Sequence, residues 1–134
     1  MTSSEARELF ASARVARLAT ADAAGQPHLV PLVFALAGDS VFSAVDAKPK
    51  RTRALRRLRN IAENPRVALL ADHYDDDWDA LWWVRAEGEA RVLEDDDAAP
   101  GLALLAERYA QYRAEPPAGP LLAVSVTHWS GWHA

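Results

Sequence analysis

The chain has 134 residues, of which 50% are apolar and 25% are charged, with no cysteine and a formal net charge of −4. This length fits a single domain over residues 1–134 with one hydrophobic core, and the lack of cysteine excludes disulfides, thiol nucleophiles, cysteine-ligated zinc and iron–sulfur clusters. No apolar run approaches the ~20 residues that a membrane span needs and no secretory signal is visible, so we expect a cytoplasmic protein.

The first 45 residues predict one short helix and three strands. The helix is capped by Ser3 or Ser4 and ends near residue 13, and strands follow at Val15–Thr20, His28–Leu36 and Val41–Val45. Pro31 lies inside the second strand, where it cannot donate a ladder hydrogen bond. We therefore expect an edge, a bulge or a ligand-facing gap at that point.

The stretch from Asp46 to Pro65 carries much of the positive charge of the chain. Eight of the 15 Lys and Arg residues lie between Lys48 and Arg66. Apolar residues recur through it at the three-to-four-residue spacing of an amphipathic helix, at Leu55, Leu58, Ile61 and Ala62. Prolines near both ends mark its boundaries. The stretch therefore predicts a basic amphipathic helix.

Lys48 and Lys50 stand at the entrance of this predicted helix. Two cations in a first turn oppose the helix dipole, whereas an anion held at the free N–H groups would make their placement favourable. The functional interpretation is a phosphate site. The alternative is a basic helix face that is merely solvated.

Beyond Pro65 the pattern predicts three more strands and a third helix. The strands lie at Val67–Ala71, Trp82–Val92 and Leu121–Trp129, the helix at Asp97–Tyr112 and an acidic loop at Asp72–Asp79. The strand at Trp82–Val92 alternates apolar and polar residues, so one face should be buried and the other wetter. Six mostly sequential antiparallel strands with three peripheral helices predict an α+β, mainly β fold, which a barrel would close economically.

The usual catalytic and nucleotide-binding motifs are absent. The sequence contains no HExxH, GxxxxGK[ST], GxSxG or GxGxxG. The four histidines stand singly, which is more typical of strand or tail residues than of metal ligands, so we predict no metal site. Redox chemistry would therefore have to come from a bound cofactor.

Tryptophan is abundant, at Trp78, Trp82, Trp83, Trp129 and Trp132. Indole rings stack on planar ligands, although they equally fill cores and interfaces. A phosphate site with aromatic walls and no nucleophile fits a planar, phosphorylated redox cofactor. The same ingredients would bind single-stranded nucleic acid, but the net charge of −4 argues against a nucleic-acid module.

The order of several short motifs resembles a known family. The segments ARLAT, DAAGQPHLVPLVFAL, VFSAVDAKPK, RLRNIAENPRVALL and LWWVRAEGEARV follow one another as in the split β-barrel superfamily of the pyridoxamine 5′-phosphate oxidases. KPKR, NPRV, DHYDDDW, LWWVR and the closing WSGW are similar to a narrower branch, the coenzyme F420 (deazaflavin)-dependent oxidoreductases of the PPOX class. The resemblance covers nearly the whole chain and implies a six-stranded, FMN-binding split β-barrel.

The resemblance also implies a homodimer with two equivalent cofactor sites at the subunit interface. The positions implied to hold the cofactor phosphate are Ser43, Lys48 and Lys50, and Pro49 between the lysines is also implied to bind the cofactor. The positions whose backbone would line the flavin or deazaflavin ring are Val30, Pro31 and Leu32. The side chains that would reach the site from the second subunit are Trp83, or Trp82 beside it, and Trp129.

The chain departs from the commoner members of the family at two places. The segment between Lys50 and Asn60 is longer by about two helical turns, roughly 10 Å of helix, so cofactor contacts by Arg53, Arg56 and Arg57 do not follow from the resemblance. The closing WSGWHA lacks a counterpart of the arginine and histidine set that binds the substrate phosphate. The resemblance therefore does not predict the vitamin B6 oxidase reaction.

Three functional hypotheses result. The first is a dimeric oxidoreductase that passes hydride between F420 and an unidentified small organic substrate. The second keeps the fold and uses FMN. The third is a non-catalytic module that stores or carries a flavin-like ligand, or that contacts nucleic acid through the Arg51–Arg59 face. In the first two, the cofactor ring would supply the chemistry and the protein would bind it, orient it and exclude water.

Overall fold

Seven strands and four α-helices make up residues 1–45, 51–117 and 119–134, which the computed structural model describes, with backbone alone for residues 51–55. The strands are β1 Ala16–Ala21, β2 Pro27–Leu32, β3 Ala35–Ala37, β4 Ser40–Ala44, β5 Arg66–His73, β6 Trp82–Leu93 and β7 Leu121–His133. The helices are α1 Ser3–Ser12, α2 Arg51–Glu63, α3 Asp95–Arg108 and α4 Ala110–Ala114, with a 3-10 turn at Trp78–Ala80. None of the described helices is both long and apolar enough to cross a membrane.

All seven strands belong to one antiparallel sheet with the order β2-β1-β5-β6-β7-β4-β3. The sheet ends at β2 and β3, so among the described residues its hydrogen bonds do not close into a barrel. The predicted six strands and three helices are thus corrected to seven strands and four helices, in a mainly β arrangement consistent with a split barrel. Pro31 lies on the edge strand β2, as its missing N–H predicted.

The seventh strand arises because the predicted strand at His28–Leu36 is interrupted at Val33 and Phe34. The Phe34 N–H donates to the hydroxyl of Tyr109 at 3.2 Å, and its carbonyl accepts from that hydroxyl at 2.9 Å and from Arg108 at 2.8 Å. Because side chains satisfy these backbone groups, Phe34 can leave the ladder without a lost hydrogen bond. The strand therefore divides into β2 and β3.

The same contacts divide the predicted third helix. Tyr109 has extended backbone angles, φ −117° and ψ 120°, and separates α3 from α4. Its ring is buried, and its hydroxyl oxygen also lies 3.0 Å from the carbonyl oxygen of Arg14, so the single hydroxyl proton is shared between the carbonyls of Phe34 and Arg14. Since α3 begins at Asp95, two residues before the predicted start at Asp97, Pro100 lies inside the helix.

The alternation predicted for β6 is present. Val84, Ala86 and Ala90 are buried, whereas Arg85 and Glu89 are exposed. The core lies on the buried side, where α1 packs through Phe10. We call the opposite side of β1, β2, β5 and β6 the outer face. It carries Arg17, Ala19, Leu29, Pro31, Ala68, Leu70, Trp83, Arg85 and Glu87.

An aromatic cluster joins α1 to the sheet. The ring of Phe10 lies 4.7 Å from that of Phe34 and 5.4 Å from that of Trp129, and all three are buried. Trp129 donates its indole N–H to Asp39 Oδ1 at 3.0 Å, and Arg7 of α1 donates to the same oxygen at 3.0 Å. The hydrogen bonds from Trp129 and then Arg7 hold the pKa of Asp39 below its usual value.

A buried hydrogen bond fixes α2 against β1. Asn60 is 3% exposed and donates from Nδ2 to the hydroxyl of Thr20, which is 4% exposed, at 3.0 Å. Ile61 beside it packs into the core, while Ala62 is exposed. The apolar stripe of α2 is therefore narrower than its sequence pattern predicted, and a polar pair completes its contact with the sheet.

We expect Asn60→Ala to lower the free energy of unfolding by about 1–3 kcal/mol, because the Thr20 hydroxyl would stay buried without its partner. Urea denaturation followed by circular dichroism measures the loss. Thr20→Ser keeps a hydroxyl and serves as the control, with a smaller loss. An unchanged denaturation midpoint for Asn60→Ala would show that the hydrogen bond does not stabilise the fold.

The lowered pKa of Asp39 predicts a pH dependence of stability. A carboxyl whose pKa is lower in the folded state stabilises the fold above its unfolded value of about 3.9, and this contribution is lost as the pH falls through the folded value. Asp39→Asn should therefore be less stable than the parent at pH 7 and lose less stability on acidification. Denaturation at pH 7 and at a pH below about 3.9 measures the free energy of unfolding under the two conditions. Asp76→Asn in the exposed loop is the control. Parallel losses in the parent and Asp39→Asn would refute it.

Candidate functional site

A groove of about 660 Å³ crosses the sheet where β1, β5 and β6 lie side by side. Ala19 of β1 pairs with Ala68 of β5, so the floor carries small side chains there, and the row continues to Glu87 of β6, which precedes Gly88. Side chains as short as Ala19 and Ala68 leave the backbone of the sheet accessible. The volume lies within the range of small-molecule sites, and short side chains allow one face of a planar ring to approach the sheet.

Gly88 marks an irregularity in the β6–β7 ladder beside the groove. Glu87 pairs with His128, but Gly88 pairs with Val126, so Thr127 has no opposite residue. A Cβ on Gly88 would lie 2.0 Å from the backbone oxygen of Ser125, which allows only glycine at this approach. The irregularity leaves Thr127 at the groove, where its hydroxyl donates to the carbonyl of Glu87 at 3.3 Å.

The rim of the groove is charged where β5 and β6 form it. Arg66 and Glu89 lie opposite one another in the β5–β6 ladder, and Glu87 follows on the same side of β6. Glu87 is paired with Arg85 at 3.1 Å. An apolar floor with a charged rim can bind a flat ligand that carries polar groups at its edge.

Pro31 and Trp83, two of the predicted site residues, lie on the outer face. Pro31 opposes Arg17, Arg17 opposes Leu70, and Leu70 opposes Arg85, so these residues form one row across four strands. Trp83 is half-buried, and the guanidinium carbon of Arg85 lies 5.4 Å from its ring centre. The structure thus places Pro31 and Trp83 on one surface.

Val30, Leu32 and Ser43 lie on the other side of the sheet. Val30 is half-buried against the core, and Leu32 and Ser43 line the same internal cavity of about 10 Å³. The Ser43 hydroxyl is buried and donates to the carbonyl of Val33 at 2.8 Å. Trp129, also predicted for the site, lies in the aromatic cluster of the core, and its contacts there account for its burial.

The described residues do not include Lys48 and Lys50, the predicted phosphate contacts, or Pro49 between them. The later part of the basic stretch is described, and its side chains are not all exposed as they would be on a solvated face. Arg56 and Arg57 are half-buried, while Arg59 is exposed. This part of α2 therefore has one side that faces the rest of the protein and one side that faces solvent.

His28 is brought close to Arg56 and Arg57, which the sequence patterns did not predict. Burial, then the charges of Arg56 and Arg57, lower the pKa of His28, and burial lowers the pKa of Arg57. Helical spacing could have predicted the partial burial of Arg57, because Arg57 precedes the buried Ile61 by four residues and therefore lies on the same side of α2. Nothing local in the sequence pairs that side with His28.

Comparisons with known proteins agree with the sheet topology. A family model described as Pyridoxamine 5′-phosphate oxidase matches residues 2–133. No functionally curated protein matches the chain.

Solved structures similar to this chain include proteins from several bacteria. The conserved hypothetical protein Rv2991 from Mycobacterium tuberculosis is 24% identical with a TM-score of 0.73, over 99% of this chain and 85% of that one. The FAD binding protein from Mycobacterium smegmatis is 28% identical with a TM-score of 0.64, over 98% and 94%. HutZ, the heme storage protein from Vibrio cholerae, is 18% identical with a TM-score of 0.71, over 97% and 92%, and shows the shared fold alone.

Proposed function

Because the chain belongs to the pyridoxamine 5′-phosphate oxidase family, we propose that it is an oxidoreductase of this class. In this proposal it transfers hydride between coenzyme F420 and an unidentified small organic substrate, with FMN as the alternative cofactor. The observation that carries the proposal is the groove, whose lining includes the small residues Ala19, Ala68 and Gly88. Its size and shape fit a tricyclic ring, and a protein described as FAD-binding shares 28% of its sequence with this chain.

The proposed roles of the chain are binding, orientation and exclusion of water. Ala19 and Ala68 would contact one face of the ring, and Arg66 and Glu89 at the rim would hydrogen-bond to polar atoms at its edge. Pro31 and Trp83 would bound the site further along the outer face. The bound ring would supply the hydride chemistry.

Lys48 and Lys50 are the proposed contacts of the cofactor phosphate. Their support comes from the sequence, since two lysines stand where β4 leads to α2 and would be favourably placed beside an anion. Ser43 is less suited to the role, because its hydroxyl is buried and already donates to Val33. We therefore assign Ser43 to holding the chain at Val33.

We also propose that two copies of the chain associate through the outer face. Leu29 is 67% exposed and Leu70 is 40% exposed there, and no described element of the chain covers them. A sheet face normally packs against another layer, and a second copy would provide one. It would also close the open side of the groove, which excludes water from a hydride transfer.

A flavin-binding module without catalysis is the second candidate. The FAD binding protein from Mycobacterium smegmatis favours it, because that description names binding and no reaction. The two candidates share the groove and the proposed phosphate contacts. They differ in whether the bound, reduced cofactor is oxidised by added organic acceptors.

We expect F420, or FMN in the alternative, to quench the tryptophan fluorescence of the protein, because Trp83 lies on the same outer face as the groove. Lys50→Ala should weaken that binding by about tenfold or more, ~1.4 kcal/mol, since it removes a charge-assisted contact. Arg59→Ala, which removes an exposed charge from α2, is the matched control. Quenching by neither cofactor would refute both candidates, and oxidation of the bound, reduced cofactor by organic acceptors would separate the oxidoreductase from the carrier.

Leu29→Glu should convert the proposed dimer to monomers. Each interface would bury two unpaired carboxylates, which we expect to raise the dimer dissociation constant by about 100-fold or more. Sedimentation velocity over a range of concentrations measures this. Ala103→Glu places the same charge on an exposed position of α3 and should leave the dimer intact. A monomeric parent protein would disprove the proposed association.

A further inference from the structure

A bulge in β7 lies at one end of the groove. Two residues of β7, Thr127 and His128, take the place opposite Glu87 that a single residue would occupy in a regular ladder. Only glycine fits beside them at Gly88, since a Cβ there would lie 2.0 Å from the backbone oxygen of Ser125. Bulges are over-represented next to active sites, where they change the direction of a side chain. This bulge sets the positions of Thr127 and His128 relative to the groove.

Both residues lie on the side of the sheet that carries the groove. Glu87 lines the groove, and His128 opposes it in the β6–β7 ladder, so the two side chains project on the same side. Thr127 lines the groove itself. In the same row of the sheet, Ala68 opposes Glu87 from β5 and Ala19 opposes Ala68 from β1. A ligand that lies over the two alanines therefore has Thr127 and His128 at one of its ends.

The hydroxyl of Thr127 and the imidazole of His128 are available to a ligand. Thr127 donates to the carbonyl of Glu87 at 3.3 Å, which is long for an O–H···O bond, so a ligand oxygen can accept the hydroxyl proton instead. Among the residues that the structure describes, the His128 side chain makes no hydrogen bond or ion pair. Both side chains are exposed. This end of the groove therefore offers two hydrogen-bond donors to one ligand atom.

The charges at this end of the groove favour an uncharged ligand group. Glu87 opposes His128, and Glu89 lies further along the rim. Arg85 already pairs with Glu87 at 3.1 Å, and Arg66 lies on β5, two strands away from β7. A carboxylate or phosphate would therefore meet two like charges here. The oxygen of a neutral carbonyl group accepts from the same donors without that repulsion.

We propose that Thr127 and His128 bind the oxygen of a substrate carbonyl group, so that the substrate is an uncharged aldehyde or ketone. This inference rests on the proposed function, because the hydride comes from the reduced cofactor. The hydride adds to the carbonyl carbon, the electron pair of the C=O π bond moves to the oxygen, and the oxygen takes a proton from His128 to give an alcohol. Neutral His128 then regains from solvent the proton that the oxidised cofactor releases.

His128 suits this proton transfer because histidine changes its charge near neutral pH. The charged groups that face it are Glu87 and Arg85 of β6, whereas β4, which pairs with β7 only as far as Ser125, carries no charged residue. Reduction of the carbonyl should slow as the pH rises and His128 loses its proton. Thr127 acts by hydrogen bonding alone, so its replacement should leave this pH dependence in place.

Binding is tested with benzamide, an uncharged compound whose carbonyl group resists hydride addition. Benzamide should shift the imidazole signals of His128 saturably in nuclear magnetic resonance spectra of the full chain. Thr127→Val should weaken this binding by about fivefold, since one hydrogen bond is lost. Ser125→Ala removes another exposed hydroxyl of β7 and is the matched control, with an affinity within about twofold of the parent. No saturable shift of the His128 signals would overturn the proposal, as would binding of benzoate as tight as that of benzamide.

The proton transfer is tested by stopped-flow oxidation of the bound, reduced cofactor with benzaldehyde. His128→Gln should lower the rate by about 100-fold or more and remove the decline in rate at high pH, while the cofactor affinity stays within about twofold of the parent. His133→Gln changes another exposed imidazole of β7 and should behave like the parent. A rate and a pH profile unchanged by His128→Gln would show that His128 does not supply the proton.

The outcomes distinguish this inference from the proposed function. If F420 or FMN binds but benzaldehyde does not oxidise the reduced cofactor, the carbonyl substrate is refuted and the oxidoreductase of another substrate class stands. If neither cofactor binds, the proposed function is refuted, and the carbonyl reduction is refuted with it even where benzamide binds. Oxidation by benzaldehyde that depends on both Thr127 and His128 would support the two proposals together.

Discussion

The pairing of β6 with β7 holds the two halves of the sheet together. Its ladder runs from Trp82 opposite His133 to Leu93 opposite Leu121, with β5 attached to the free edge of β6 and β4 attached to that of β7. The aromatic cluster, the outer face and the groove all take their positions from it. At Gly88, where a Cβ would meet the backbone of Ser125, the ladder shifts register and leaves Thr127 beside the groove.

Local patterns predicted the elements wherever neighbouring residues decide the structure. The alternation along β6 depends on the period of a strand, so it could be read from the sequence. The division of the predicted strand at Phe34 could not, because its cause is Tyr109 and Arg108, which lie 75 and 74 residues away. The same contact breaks the predicted helix at Tyr109. One long-range interaction thus accounts for both errors.

The candidate site shows a similar division. The period of a strand places the side chains of Val30 and Leu32 on the core side and that of Pro31 on the outer face, whereas the prediction for these three residues concerns their backbone. No sequence motif predicts the groove, because it depends on the small size of Ala19, Ala68 and Gly88 and not on a reactive group. The predicted site consists largely of lysines and tryptophans, which are easily recognised in a sequence. The groove instead lies where side chains are small.

The central position of β7 also constrains the order of folding. This strand is the last in the chain, yet it lies between β6 and β4. Before it docks, β2, β1, β5 and β6 can pair as one sheet and β3 with β4 as a hairpin, but each has an exposed edge where β7 belongs. Such edges invite pairing with other chains. The joining of the two sub-sheets therefore needs the thirteen-residue strand Leu121–His133, whose pairing with β4 is non-local. Contacts of this kind slow folding.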